Sequence, residues 1–401
     1  MARSAAQYTA EVAVVGGGPA GLIAAIALAA AGAETALIAP APGPDRRTTA
    51  LLDGSVKALA ELGVWDALAP KASALKVLRL VDATRRLIRA PEVAFDCAEL
   101  GLEAFGYNIE NEPLRDGLLA AARAEKRLRL VAATVTEVAP DDTGVTLRSN
   151  AGGERVRLVV AADGRDSFCR KAAGIATRGR KLAQSALALT LRHSRPHGNV
   201  STEFHTESGP FTLVPLPGRR SSLVWVVRAD KVEALTALGD AALSEKVERQ
   251  AHSILGKMEV EAGRGVFPLA AAIAERFAAR RIVLVGEAGH VLPPIGAQGL
   301  NLGIRDAALI AELVADARRN GIDLGDACDD YDRRRRSDVR SRAIAVDMFS
   351  RSLLTDFLPA HALRGLGLAL AASVGPLRRL LMREGLGERA DAPRLVRGEA
   401  L

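Results

Sequence analysis

Near the N-terminus the spacing of apolar positions changes in quick succession. Glu11-Val12-Ala13-Val14-Val15 is a compact apolar run of the kind a buried strand shows. Gly16-Gly17-Gly18-Pro19-Ala20-Gly21 interrupts it, an Ala-rich helix extends to about Ala31, and Glu34 to Ala39 is strand-like again. Gly32 stands where a helix C′ residue belongs. Strand, turn, helix and strand in this order predict a Rossmann-type unit. From Thr48 to Leu68 the residues Leu51, Leu52, Val56, Leu59, Leu62 and Val64 recur at helical spacing. Another helix is expected from near Pro113 to about Arg127, and Val156 to Ala162 reads as a strand ending at Asp163-Gly164.

The pattern changes near Gln184. Residues 186–192, 199–205, 211–216 and 221–228 are short strand candidates split by Pro, Gly and Ser, which predicts an antiparallel sheet. Helical patterns follow near 230–255, and the strand at 281–285 restores the first domain. Residues 302–320 read as a helix, and Arg333-Arg334-Arg335-Arg336 is expected to decorate a long exposed one. The predicted fold is therefore α/β: a Rossmann-type domain (1–75, 100–183 and 270–350) with an inserted antiparallel-sheet domain (76–99 and 184–269) and a helical C-terminal segment (351–401).

Composition narrows this picture. A chain of 401 residues with 49% hydrophobic and 25% charged positions can bury a large core in two domains. Cys97, Cys169 and Cys328 fit neither a disulfide framework nor a zinc site, which favours a reducing compartment. No apolar run approaches the length of a bilayer-spanning helix, so the expected place is the cytoplasm, with room for a peripheral position on the inner membrane face. The net charge of +7 admits an anionic surface. Aromatic residues at 3% leave no stacking platform, and nucleic acid is not expected as a partner.

The candidate chemistry lies in three motifs. Gly16-x-Gly18-x-x-Gly21 sits between a strand and a helix, where glycines allow a tight turn, the approach of a pyrophosphate and close helix packing. The second strand ends in Leu37-Ile38-Ala39-Pro40 without the acidic residue that usually meets a ribose, so Asp45, Arg47 or water supplies that contact. Asp163-Gly164-Arg165-Asp166-Ser167-Phe168-Cys169-Arg170 closes a strand, either as an ordinary Asp-Gly turn or as a ribose site. Gly286-Glu287-Ala288-Gly289-His290 leads through Pro293-Pro294-Ile295-Gly296-Ala297-Gln298-Gly299-Leu300-Asn301 into a helix start that suits developing negative charge, on a phosphate or on a flavin edge. His290 reads as structural, and neither a Ser-His-Asp arrangement nor a metal-ligand cluster is present.

In this order the motifs resemble those of flavin-dependent aromatic hydroxylases with the para-hydroxybenzoate hydroxylase fold. Within that group the chain is most similar to the ubiquinone-biosynthesis hydroxylases. Arg47-Thr48-Thr49-Ala50-Leu51, Asn108-Ile109-Glu110-Asn111, Leu213-Val214-Pro215-Leu216-Pro217 and Pro294 to Asp306 carry the narrower match. The resemblance implies FAD, NAD(P)H and O2, with Gly16, Gly18, Pro19, Ala20 and Gly21 at the pyrophosphate and Arg47, Arg115, Asp163 and Gly164 among the cofactor contacts. It places Glu287 near the ribityl or pyrophosphate portion and Gly299, Leu300 and Asn301 at the pyrimidine edge of the flavin. Val214, Trp225, Pro294 and Ile295 are the expected substrate-pocket residues. Glu287 stands where the family has Asp, and Gly289 where it has Ala.

The implied reaction is hydroxylation of a polyprenylated phenol, with a membrane surface and a quinone-biosynthesis complex as partners. The C-terminal mixture of Leu353, Leu354, Phe357, Leu358, Leu363, Leu366, Leu368 and Leu370 with Arg364, Arg378, Arg379 and Arg383 suits a headgroup layer, or packing on the protein itself. Two other readings share the scaffold: a flavoprotein that organises a complex without turning over, and a different FAD enzyme such as a polyprenyl reductase. A Trp-x-Trp element of the halogenase type is absent from the sequence.

Overall fold

Val12–Val15 is buried along its whole length because it pairs in parallel with Leu158–Ala161 on one side and Thr35–Ala39 on the other. A strand covered on both faces has no solvent side to mark with polar residues, hence its unbroken apolar sequence. The computed structural model describes residues 8–84, 89–294, 296–354, 374–387 and 391–401, and for 343–354 the backbone alone. The first sheet runs Ala278–Ala279, Ile282–Leu284, Leu158–Ala161, Val12–Val15, Thr35–Ala39, Leu128–Ala132. Helices Pro19–Ala30 and Gln298–Asn320 pack on each other over one of its faces. The ribbon of Val135–Pro140, Val145–Ser149 and Gly152–Val156 covers the other.

A second sheet of nine strands forms a roof beside the first. Its central strands are Thr177–His193, Arg220–Arg228, Gly209–Leu216 and Val200–Thr206, extended at the far edge by Val77–Asp82 and Val93–Asp96. One face is sealed by helices Ala229–Thr236 and Asp240–Gln250, which pack on Leu187, Phe204, Phe211, Leu223, Trp225 and Val227. On the other face Thr190, Thr212, Val214 and Val224 are only half-buried. That face looks toward a small sheet, Thr48–Leu52, Gly106–Glu110 and Ala72–Ala74, that joins the two larger ones.

Two expectations change here. Thr48–Leu52 is a strand paired with Gly106–Glu110, and the helix expected from Thr48 begins only at Asp53. A short apolar run with adjacent β-branched threonines does not distinguish the two states by spacing, and pairing decides it. The run Arg333–Arg336 lies on helix Ala327–Leu354 but is not all exposed. Arg335 is 2% exposed because Asp306 and Asp338 neutralise it. Among the described residues no helix is long and apolar enough to cross a membrane. Most of the apolar C-terminal stretch, Phe357 to Leu370, lies outside the described residues.

Candidate cofactor and substrate site

The glycines of the first turn have different jobs. Gly16 adopts φ +116°, and a Cβ there would sit 2.2 Å from the Ala162 carbonyl oxygen. A Cβ at Gly21 would meet the Gly16 carbonyl oxygen at 2.0 Å. Both positions need glycine for the fold itself. Gly18 has an ordinary φ of −69°, and nothing lies within 4 Å of the place its Cβ would take. This open space lies at the N-terminus of Pro19–Ala30, whose first turn has neither a side-chain cap nor an acidic residue. Unpaired N–H groups and the helix dipole make it a place for an anion, and a dinucleotide pyrophosphate fits it. Ala20 turns inward, its Cβ 3.2 Å from where side chains at Gly286 and Gly303 would begin.

Beyond the second strand, Asp45 and Arg47 form a two-pronged pair, Nε to Oδ1 and Nη2 to Oδ2, both at 2.7 Å. Asn111 Nδ2 donates to Asp45 Oδ2 at 2.9 Å, and the Asn111 amide oxygen accepts from Thr49 at 2.6 Å. Burial opposes the Asp45 charge, but the hydrogen bonds from Arg47 and Asn111 outweigh it and hold the carboxyl at about 2. Arg115 Nη1 donates to the Gly43 carbonyl at 2.8 Å, tying the same loop to helix Asn111–Ala124. The loop is thus set as a unit beyond the end of the second strand.

Asp163 is engaged within its own turn. Ser167 Oγ donates to its Oδ1 at 2.5 Å and Cys169 N to its Oδ2 at 3.0 Å. Gly164 follows with φ +82°. Arg170, 7% exposed, reaches across to the carbonyl of Ala288 at 2.8 Å. Glu287, by contrast, is exposed and lies 3.4 Å from Arg165.

The segment after Ile282–Leu284 is anchored from below. Asp306 is wholly buried and accepts from Gly286 N at 2.8 Å and from His290 Nε2 at 2.7 Å. Arg335 approaches its other oxygen at 2.6 Å, off the hydrogen-bond direction. His290, expected to be structural, is tied into this lock. The Asn301 side chain is held within the protein. Its amide accepts from Leu52 N and Ser55 Oγ and donates to the carbonyls of Ala50 and Ala297. All four hydrogen-bonding capacities of the side chain are used inside the protein. What it can offer a cofactor is its backbone, in the first turn of Gln298–Asn320. That helix also starts without a side-chain cap or acidic residue, and a Cβ at Gly299 would meet nothing within 4 Å.

Strand alternation sorts the expected pocket residues. Val214 is the register partner of Ser222, whose hydroxyl meets Thr48 Oγ1 at 2.9 Å and Asn108 Nδ2 at 3.1 Å. Both therefore face the first domain. Trp225 lies on the opposite side, edge-on to Phe211 at 5.2 Å under the covering helices, so it does not line this space. With a period of two, its neighbours Val224 and Val226 take the open face instead. Pro294 is exposed on the loop before Gly296, and Ile295 lies outside the described residues. Ser222, Val224 and Asn108 were not among the expected site residues, although alternation around Leu223 and Trp225 contained the signal for the first two.

A Rossmann-type sheet with an open glycine cradle, a second uncapped helix start and a half-open roof defines a dinucleotide-binding oxidoreductase. The family model described as FAD binding domain matches residues 9–344. The chain is 34% identical to ubiquinone hydroxylase UbiL of Rhodospirillum rubrum, over 99% of this chain and 94% of that one. It is 31% identical to the 3-demethoxyubiquinol 3-hydroxylase of Escherichia coli, over 94% of this chain and 98% of that one. The solved p-nitrophenol 4-monooxygenase of Pseudomonas putida has the same fold, with a TM-score of 0.76 at 20% identity over 94% of this chain and 98% of that one. The chain belongs to the ubiquinone-hydroxylase family of FAD-dependent monooxygenases.

Proposed function

We propose that this protein hydroxylates the ring of a prenylated phenolic quinone precursor with NAD(P)H and O2. The observation that carries this reading is the half-buried roof face of Val214 and Val224, turned toward the small sheet that Asn301 ties to the second uncapped helix start. FAD held here would supply the redox chemistry, electron transfer from NAD(P)H and activation of oxygen. The protein positions the reactants and excludes water. Gly16, Gly18, Pro19, Ala20 and Gly21 form the pyrophosphate cradle, with Arg47 and Arg115 holding the adjoining loop. Asp163 and Gly164 would shape the floor, and Glu287 would serve the ribityl or pyrophosphate portion. The N–H groups of Gly299, Leu300 and Asn301, at an uncapped helix start, would hold the pyrimidine edge and suit negative charge there. Val214 and Pro294 wall the ring pocket.

The prenylated substrate implies a membrane surface on the inner, cytoplasmic side. Helix Gly375–Leu386 supports this: Leu380 and Leu381 are exposed at 57% and 46%, with Arg379 and Arg383 beside them. An apolar edge flanked by basic residues suits anionic headgroups. Arg378 fastens the helix to Glu99 at 2.8 Å, and Met382 packs on Cys97 and Phe105. The test is substrate-stimulated NAD(P)H oxidation by the FAD-loaded protein with a short-tailed prenylphenol. Hydroxylated product by mass spectrometry supports the reading; NAD(P)H oxidation that ignores the phenol and yields no such product refutes it.

A further inference from the structure

The open face of the roof carries two titratable side chains that the reading above leaves without a task. Register sets Glu203 opposite Thr212 and Thr212 opposite Val224. Residues directly opposite point to the same side, so Glu203 shares the face of Val224 and Val214, and His205, two residues on, shares it too. His205 Nε2 lies 2.9 Å from Glu203 Oε1, and the Thr212 hydroxyl donates to Glu203 Oε2 at 3.2 Å. An ionised carboxylate only accepts, so the imidazole gives its Nε2 proton to this bond. The His205 side chain is 3% exposed and that of Glu203 16%, which holds the carboxylate just beneath the half-open surface. Placing an acid and an imidazole there costs desolvation that an apolar pair would avoid, so packing does not account for them.

We propose that Glu203, positioned by His205 and Thr212, takes the proton of the substrate's phenolic hydroxyl. This rests on the hydroxylase reading. A phenolate feeds its oxygen electron pair into the ring and makes the attacked carbon more nucleophilic than a phenol does. The O–H bond breaks, its electron pair stays on oxygen, and the proton passes to the Glu203 carboxylate. As the new C–O bond forms, the ring carbon loses its hydrogen to solvent as a proton, and the substrate oxygen takes a proton back from Glu203. The second atom of O2 leaves as water, with electrons from NAD(P)H. Among the described residues, Asp82 also faces the pair, as the register partner of His205. Its carboxylate is bonded by Thr84 Oγ1 at 2.6 Å and Ala90 N at 2.9 Å.

The experiment compares wild type, Glu203→Gln, His205→Gln and Thr212→Val, each loaded with FAD, on a short-tailed prenylphenol. Product, peroxide and NAD(P)H consumption are followed across pH. Glu203→Gln is expected to keep FAD and its reduction yet to lose about 10²–10⁴-fold in product rate near neutrality. That rate should climb with pH as the free phenol ionises near about 10, with the missing product appearing as peroxide at lower pH. A Glu203→Gln enzyme with the wild-type pH profile and full coupling overturns the proposal. If that variant does not fold, Thr212→Val decides: a displaced pH profile supports the assignment and an unchanged one overturns it. A wild-type enzyme that makes no product overturns the hydroxylase reading instead, before any variant is measured.

Discussion

Arg170 Nη1 donates to the Ala288 carbonyl at 2.8 Å and so joins the turns that follow two adjacent parallel strands. Ligands of such sheets bind beyond the carboxyl ends of the strands, where this clamp lies. Its Nη2 also reaches the Arg165 carbonyl at 3.0 Å. Arg170→Met keeps the buried stem but removes both bonds and leaves the carbonyl of buried Ala288 without this donor. It should destabilise the protein by about 2–4 kcal/mol and weaken FAD retention. Arg170→Lys should recover only part of this, because an ammonium cannot span both acceptors. Urea unfolding and FAD titration check both.

The first-turn glycines separate folding from binding. Gly16→Ala forces a Cβ to within 2.2 Å of a backbone oxygen at φ +116° and should abolish folding. Gly18→Ala meets no protein atom within 4 Å, so the apoprotein should lose no more than about 1 kcal/mol, the scale of an N-cap change. Its methyl occupies the pyrophosphate space, and FAD affinity should fall at least about tenfold, or about 1.4 kcal/mol. Equal FAD affinity in Gly18→Ala and wild type would place the pyrophosphate elsewhere.

Asp306 links the cofactor loop to acid stability. Burial would raise its pKa, but the charges of Arg335 and His290 and the hydrogen bonds to His290 and Gly286 hold it below the ordinary 3.8. A group depressed on folding stabilises the native state fully above its unfolded value, and the contribution disappears as pH falls through the folded value. Stability should therefore decline in acid below about 4, the ordinary aspartate range. Asp306→Asn removes one of the two carboxylates, beside Asp338, that neutralise buried Arg335 and should cost about 3–5 kcal/mol at neutral pH. Its unfolding free energy should also fall less steeply in acid than that of wild type, measured by denaturant titration at each pH.

What was legible in the sequence was local. The strand–Gly-turn–helix unit could be read because its apolar spacing and glycine order are set within about thirty residues, although the residue that forces glycine at position 16 is the distant Ala162. What depended on distant chain could not be read. The Asn301 side chain is consumed by Ala50, Leu52 and Ser55, far upstream, which leaves only its backbone to offer a cofactor. Arg335 looked exposed because it sits in a charge run, while its neutralising partner Asp306 belongs to another helix. Trp225 drew attention as a large aromatic, yet parity with Leu223 and Val227 sets it on the sealed face. Alternation can be read from sequence; which of two faces receives the covering helices cannot.

The exposed Leu380 and Leu381 provide a surface prediction. Changing both to Glu should leave thermal stability nearly unaltered, within about 0.5 kcal/mol per site, because neither is buried. Co-sedimentation with vesicles containing anionic lipid should drop several-fold. Unchanged sedimentation would remove Gly375–Leu386 from the membrane contact.

The decisive measurement is a turnover in isotopically labelled O2. FAD-loaded protein, NAD(P)H and a short-tailed prenylphenol are combined, and the product is weighed by mass spectrometry. The account predicts a hydroxylated ring carrying one labelled oxygen atom, formed together with phenol-dependent NAD(P)H consumption. Product that carries no label, or NAD(P)H consumption that yields only peroxide whatever phenol is offered, would contradict it.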